Sequence, residues 1–243
     1  MTSNFRDIDI VFHQAALPSV GRSIVDPETT NSVNISGTLN VLQCARNANV
    51  EKVVFASSSS IYGDTLELPK KESMCPCPKS PYALTKLTGE FYCRLFFDIY
   101  GLRTTSLRYF NVYGSHQDPF SQYAAVIPLF IQAIRNNKPV TIFGDGNQTR
   151  DFTYIDDVIQ ANIRAAISKK SDGHEINIAY GKQIKILELA KLISSIIGNE
   201  CTFSYLSPRI GDIKHSLADI SKAKQLLNYE PQYSIKKGLE NII

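Results

Sequence analysis

The stretch Lys52-Val53-Val54-Phe55-Ala56-Ser57 is an apolar run that breaks off in Ser58-Ser59-Ser60-Ile61-Tyr62-Gly63. A short apolar run closed by a polar turn reads as a buried strand, and a strand buried on both faces belongs to a parallel sheet. Upstream, residues 34–48 bring Leu39, Leu42 and Ala45 to one helical face, and residues 8–13 are another short apolar strand. Downstream, residues 80–100 make a long helix whose apolar positions include Leu84, Leu87, Phe91, Leu95 and Phe96, and residues 104–108 are a third strand. Strand, helix, strand, helix, strand is the order of half a doubly wound α/β fold, a parallel sheet with helices on both faces.

Past about residue 111 the rhythm changes. Short strands at 140–143, 152–154 and 175–178 mix with helices at 128–136, 156–168, 186–197 and 220–227. This half reads as a small α+β lobe packed on the sheet. The expected division is residues 1–112 for the sheet domain and residues 113–243 mainly for the lobe, with some segments returning to the sheet.

With 243 residues, 43 % of them apolar, the chain can bury a sizeable core. A formal charge of +3 is too small to argue for nucleic acid, and pairs such as Lys169-Lys170 read as solvated faces. The five cysteines, Cys44, Cys75, Cys77, Cys93 and Cys201, are odd in number and form no CxxC pair. Reduced thiols in a cytoplasmic protein are expected from this, and no metal site. The polar N-terminus is not a signal peptide, and no apolar run reaches the length of a membrane span.

Chemistry concentrates in Ser80-Pro81-Tyr82-Ala83-Leu84-Thr85-Lys86. A Tyr four residues before a Lys stands one turn away on the same helix face. An ammonium beside a phenol favours the phenolate, so the Tyr82 pKa is expected to fall from about 10 toward working pH. Such a phenolate can take a proton from a substrate hydroxyl. The serine turn that ends in Tyr62-Gly63 lies about twenty residues upstream.

Further runs follow in a characteristic order: His13-Gln14-Ala15-Ala16, the serine turn, Ser80 to Lys86, Leu107 to Gly114, Gly144-Asp145-Gly146, Arg150-Asp151-Phe152 and Arg209-Ile210-Gly211-Asp212. Together they resemble the extended short-chain dehydrogenase/reductase family, and within it the bacterial UDP-N-acetylglucosamine 4-epimerases. The resemblance spans residues 8 to about 230. It implies an N-terminally truncated Rossmann-like sheet, with residues 1–112 as a partial NAD-binding domain and the lobe as the substrate-binding part. The family opens with a Gly-rich strand–turn–helix for the NAD pyrophosphate, then an acidic residue for the ribose. This sequence shows neither and begins at what resembles the fourth strand. The strand at 8–13 is therefore expected as an apolar sheet edge prone to self-association or instability.

The resemblance implies NAD as cofactor and inversion at C4 of a UDP-sugar through a transient 4-keto sugar. Tyr82 would be the acid/base, Lys86 would contact the nicotinamide ribose, and Ser58 would hold the reacting sugar oxygen and relay its proton. Gln14, Ala15, Ala16, Ser57, Tyr109 and Phe110 join Tyr82 and Lys86 as the implied cofactor-binding residues. Ser19, Ser58, Ser59 and Asn111 are implied on the substrate. Arg150 and Arg209 are implied on its diphosphate, where a guanidinium fork suits phosphate oxygens. Asp212 is implied on the uridine ribose. Ser216 stands where epimerases restricted to UDP-glucose and UDP-galactose carry a bulky Tyr. Pocket volume thus points to UDP-GlcNAc and UDP-GalNAc.

Two other readings stay open: an epimerase for UDP-glucuronate, and a catalytically impaired remnant that only binds UDP-sugar. Dehydratases of the family place an Asp-Glu pair where Ser59 and Ser60 stand here, which disfavours elimination. A homodimer through the long helix at 80–100 is the family expectation, with no nucleic-acid or membrane partner.

Overall fold

In the computed structural model, residues 5–118, 120, 125–208 and 213–243 are described. The apolar run that opens the sequence argument is the second strand of a four-stranded parallel sheet. Its strands are β1 (Ile10–His13), β2 (Lys52–Ser58), β3 (Arg103–Tyr109) and a later strand, His174–Ile178, in that spatial order. Successive β2 side chains point to opposite faces. Val53 and Phe55 pack with Leu42, Cys93 and Phe96 on one face, while Val54 packs with Leu107, Val158, Ala161 and Ile176 on the other. Two-sided burial is what the unbroken apolar run encodes.

The segment between β1 and β2 holds more helix than the sequence suggests. α1 (Val20–Val25) and α2 (Pro27–Asn31) precede a π-helical turn over Ser32–Ser36 and then α3 (Gly37–Asn47). α1 and α2 are too short to show an apolar period, and their signals are caps. Ser19 accepts from the Arg22 amide, and Asp26 accepts from the Thr29 amide with Pro27 in the first turn. Asn34, inside the π turn, is buried and bonds both the amide and the carbonyl of Leu17 and the Thr85 hydroxyl.

α4 (Pro81–Tyr100) is bounded as its sequence demands. Ser80 accepts from the Ala83 amide, Pro81 occupies the first turn, and Gly101 closes the helix at φ +71°. A Cβ on Gly89 would lie 2.4 Å from the Phe55 ring, so this glycine is what lets α4 lie close on β2. Beneath the serine turn, Arg108 makes a bidentate pair with Glu90 at 2.7 and 2.9 Å, both side chains buried. Arg108 also donates to the Tyr62 hydroxyl, which donates to Asn177 at 2.7 Å. This network ties α4, β3 and the His174–Ile178 strand together under the turn.

The remaining elements are β4 (Val112–Tyr113), α5 (Val126–Arg135), β5 (Val140–Phe143), β6 (Thr149–Asp151), β7 (Thr153–Tyr154), α6 (Ile155–Ile167), β8 (the His174–Ile178 strand), β9 (Gln183–Lys185), α7 (Ile186–Ile197), β10 (Phe203–Leu206), α8 (Ser221–Leu227) and α9 (Ile235–Glu240). The strand expected at 152–154 is β7, which pairs parallel with β4, and a further strand, β6, precedes it and pairs antiparallel with β9. The buried Asp151 side chain, at the end of β6, turns to the Gly181 and Ala218 amides. The lobe has its own core of Ile127, Phe130, Ile134, Ile142, Leu189 and Ile193. β1 stands at one edge of the four-stranded sheet, and Phe12 on it is 46 % exposed.

Candidate active site

Ligands of open parallel sheets bind beyond the carboxyl ends of the strands. Here those ends deliver Gln14 after β1, Ser58 at the end of β2 and Tyr109 at the end of β3. The Ser58 hydroxyl caps a short 3-10 turn over Ser59–Tyr62 by accepting from the Ser60 amide. The first turn of α4 carries the phenol of Tyr82 toward the same hydroxyl. One turn on, Lys86 is 4 % exposed; its Nζ donates to the Ala56 carbonyl at 2.7 Å and lies 6.0 Å from the Tyr82 ring centroid. Tyr82, Lys86 and Ser58 thus form one group.

Their electrostatics differ from the sequence reading. Burial raises the Tyr82 phenol above its ordinary value, and the Ser58 hydroxyl pulls the other way. Burial lowers Lys86 to about 8. The lowered phenol pKa expected from the Tyr–Lys spacing is not found. The ammonium is turned onto the Ala56 carbonyl, so desolvation of the phenol outweighs it.

A second group lies at the ends of β1 and β3. The Gln14 amide donates to the Tyr109 hydroxyl at 3.1 Å and to Asn162 Oδ1 at 3.0 Å, and the Tyr109 hydroxyl donates to the same Asn162 oxygen. Asn162, from α6, has no sequence signal: among the polar residues of that amphipathic helix it looks like any other solvent-facing position. Ala15 is exposed and Ala16 half-buried on the extended stretch after β1. Ser19 sits at φ +98° as the cap of α1. Ser59 is half-buried in the serine turn.

Two of the implied cofactor residues are packed elsewhere. The Ser57 hydroxyl donates to Glu90 in the buried network, and Phe110 has no exposure, its ring 6.2 Å from that of Tyr62. Neither side chain is brought to the open surface around Tyr82.

Of the residues implied on the substrate, Asn111, Arg150 and Ser216 lie near one another around β6. Asn111 donates to the Asp151 carbonyl at 3.0 Å. Arg150 donates from Nη1 to the Thr149 carbonyl at 2.9 Å and lies 3.4 Å from the Lys214 carbonyl. Buried Ser216 is fixed by its amide on the Thr149 carbonyl at 3.1 Å. Arg209 and Asp212 lie outside the described residues. A cavity of about 440 Å³ opens beside Arg150 and Asn111, walled by Pro139, Thr141 and Phe143. These wall residues read as ordinary strand in the sequence and were not singled out. Asp151 holds the parts together: its carboxylate accepts from the Gly181 and Ala218 amides at about 3.1 Å, and burial raises it to about 7 against those backbone hydrogen bonds.

The groups around Tyr82 suit the ribose–nicotinamide end of a dinucleotide. Lys86 keeps ammonium donors beyond its one carbonyl, and the Ser60 hydroxyl is buried with no partner among the described residues. Among the same residues, no cluster of three or more His, Cys, Asp or Glu side chains could hold a metal.

The model of the NAD dependent epimerase/dehydratase family matches residues 1–179. A UDP-glucuronate 4-epimerase of Thermodesulfobacterium geofontis is 40 % identical over 238 residues, covering 97 % of this chain and 72 % of the relative. Among solved structures, a UDP-N-acetylglucosamine 4-epimerase from Methanobrevibacter ruminantium, in complex with UDP-N-acetylmuramic acid, superposes with a TM-score of 0.94 at 41 % identity, covering 99 % of this chain and 78 % of that one. A UDP-glucose 4-epimerase of Thermotoga maritima with UDP-glucose gives 0.92 at 37 % identity, covering 96 % and 75 %. The chain belongs to the NAD-dependent epimerase/dehydratase family. Its relatives include UDP-sugar 4-epimerases, and its fold is the Rossmann-like α/β fold of those structures.

Proposed function

We propose that this chain inverts C4 of a UDP-sugar, with UDP-GlcNAc and UDP-GalNAc as the preferred pair. The observation that carries the reading is the placing of the Tyr82 phenol toward Ser58 with buried Lys86 one turn on, its Nζ 6.0 Å from the Tyr82 ring centroid. In this reading Ser58 holds the sugar O4 and Tyr82 takes its proton and later returns it. Tyr82 must first be ionised as substrate and cofactor reorganise the site, and the charge on Lys86 favours that phenolate; taking the O4 proton then returns it to phenol. Bound NAD supplies reversible hydride acceptance, and Lys86, Gln14 and the Ala15-Ala16 backbone are the residues we assign to holding it. Asn111, Arg150 and Arg209 hold the diphosphate, and Asp212 the uridine ribose. The flat walls of Phe143 and Pro139 suit a pyrimidine base beside Arg150. With binding energy on the nucleotide, the sugar is left free to turn.

Ser216 supports the choice of substrate. It is buried beside β6, with its amide on the Thr149 carbonyl next to Arg150, and a serine there takes up less room than the Tyr the resemblance sets against it. The second reading, UDP-glucuronate, is favoured by the 40 % identity to a relative of that name. Turnover of the three UDP-sugars separates them. We expect kcat/KM for UDP-GlcNAc to exceed that for UDP-glucuronate by roughly tenfold or more, and Ser216→Tyr to remove the N-acetyl substrate selectively. The reverse ranking would establish the second reading. UDP-sugar binding without any turnover would establish the impaired remnant.

We assign the chain to a cytoplasmic homodimer. Its free cysteines suit a reducing compartment, and among the described residues no helix is long and apolar enough to cross a membrane. The dimer rests on α4. Leu84, Phe91, Leu95 and Ile99 are 52, 58, 47 and 64 % exposed, a stripe spaced for one helix face and long enough to pair with its copy. Sedimentation should show a dimer that Phe91→Asp with Leu95→Asp converts to monomer. A wild-type monomer at micromolar concentration would remove this assignment.

A further inference from the structure

We propose that Cys75 and Cys77 are a reversible thiol–disulfide site whose closure loosens the start of the Tyr82 helix. Exposure alternates along residues 71–80, with Lys71, Ser73, Cys75, Cys77 and Lys79 outward and the residues between them half-buried. Residues 72–74 turn, with the Met74 amide on the Lys71 carbonyl, but from Cys75 to Lys79 the chain carries no turn or helix, and the alternation there puts both thiols on the exposed side. In fully extended backbone, at roughly 3.3 Å per residue, Cα atoms two residues apart stand no more than about 6.6 Å apart. This lies at the upper end of the roughly 4.4–6.8 Å that a disulfide spans. The other cysteines are not comparable: Cys44 and Cys93 are buried and Cys201 is half-buried.

The inner side of the same segment is bolted to both parts of the candidate site. The Cys77 amide donates to the Ile61 carbonyl at 2.9 Å, inside the 3-10 turn that Ser58 caps. Gly63, at φ +61°, is pressed so closely on the Cys77 carbonyl that an added Cβ would meet its oxygen at 2.0 Å. Met74 packs under the turn with Ile61, Tyr62 and Leu87. Three residues past Cys77, Ser80 caps α4, and Tyr82 follows in the first turn. Pro76 and Pro78 have fixed φ, so they absorb little of any contraction. Drawing Cys75 and Cys77 together must therefore be taken up by the Cys77–Ile61 bond or by the Ser80 cap. Exposed, strained pairs of this kind form the labile class of disulfide.

The chemistry balances with a low-molecular-weight disulfide as oxidant. One cysteine thiolate attacks it and expels one small thiol, leaving a mixed disulfide. The second cysteine sulfur then displaces the other small thiol. Two protein thiols lose two electrons and two protons, and the oxidant becomes two thiols.

The test uses the whole chain with oxidised glutathione, then with a dithiol. We expect the peptide spanning residues 72–79 to lose two hydrogens by mass, and amide exchange at Cys77 and across residues 80–86 to quicken roughly tenfold or more. Dithiol should reverse both, and neither change should occur in Cys75→Ser or Cys77→Ser. A mixed disulfide that never closes, or closure with unchanged amide exchange, overturns the proposal. Neither readout depends on turnover. Where the epimerase reading also holds, oxidation should lower kcat roughly tenfold or more, because a shift of about 1 Å in Tyr82 is costly.

Discussion

Tyr82→Phe is expected to lower kcat by about 10³-fold while UDP binding changes by no more than about twofold. The fold carries the phenol toward Ser58 with a proton to exchange, and general acid–base groups contribute typically about 10²–10⁴-fold. Phe keeps the ring and its packing on the first turn of α4, so folding and nucleotide affinity are not at stake. The pH profile gives a second check. Burial holds Lys86 at about 8, so above that value the ammonium is lost and its support for the phenolate goes with it. Burial also holds Tyr82 high, which leaves the phenol protonated until substrate and cofactor reorganise the site. The wild-type rate should therefore fall on the alkaline side near pH 8. A Tyr82→Phe variant that kept more than a tenth of the wild-type rate would move the acid/base role to another residue.

How much of this was legible in sequence depends on how far each signal reaches. β2 and α4 were legible because each carries its information locally: two-sided burial in an unbroken apolar run, and a helix marked by Ser80, Pro81 and Gly101. Tyr82, Lys86 and Ser58 were legible as residue types at fixed offsets. What the offsets could not show is direction. Lys86 sends its ammonium to Ala56, and Ser57 turns down to Glu90 while its neighbour Ser58 turns up to Tyr82. Such choices depend on partners about thirty residues away. Asn162 and the walls of the cavity beside Arg150 were invisible for the same reason. Each is an ordinary residue until tertiary packing puts it next to Gln14 or Asn111.

Asp151 shows what the motif Arg150-Asp151-Phe152 encodes beyond a binding arginine. Its buried carboxylate joins β6 to the turn at Gly181 and to Ala218, two residues past Ser216. We expect Asp151→Ala to destabilise the fold by about 3 kcal/mol at pH 5, since buried amides lose their acceptor. It should also raise KM for the UDP-sugar several-fold with kcat largely kept, because Arg150 and Ser216 lose their common anchor. The pH dependence has a definite sign. Burial raises Asp151 from 3.8 to about 7, so between those values the folded chain holds a proton that the unfolded chain has released. Its contribution to stability is full below 3.8 and is lost as pH rises through about 7. His13, lowered to about 4 chiefly by burial, works in the opposite sense, with stability lost as pH falls below 6.5. The wild-type curve alone therefore mixes two slopes, but His13 is common to both proteins and cancels in their difference. The stability gap between wild type and Asp151→Ala should narrow by about 2 kcal/mol from pH 5 to pH 8. A gap that widened with pH would mean that the backbone amides overcome burial, and that Asp151 is an anion throughout.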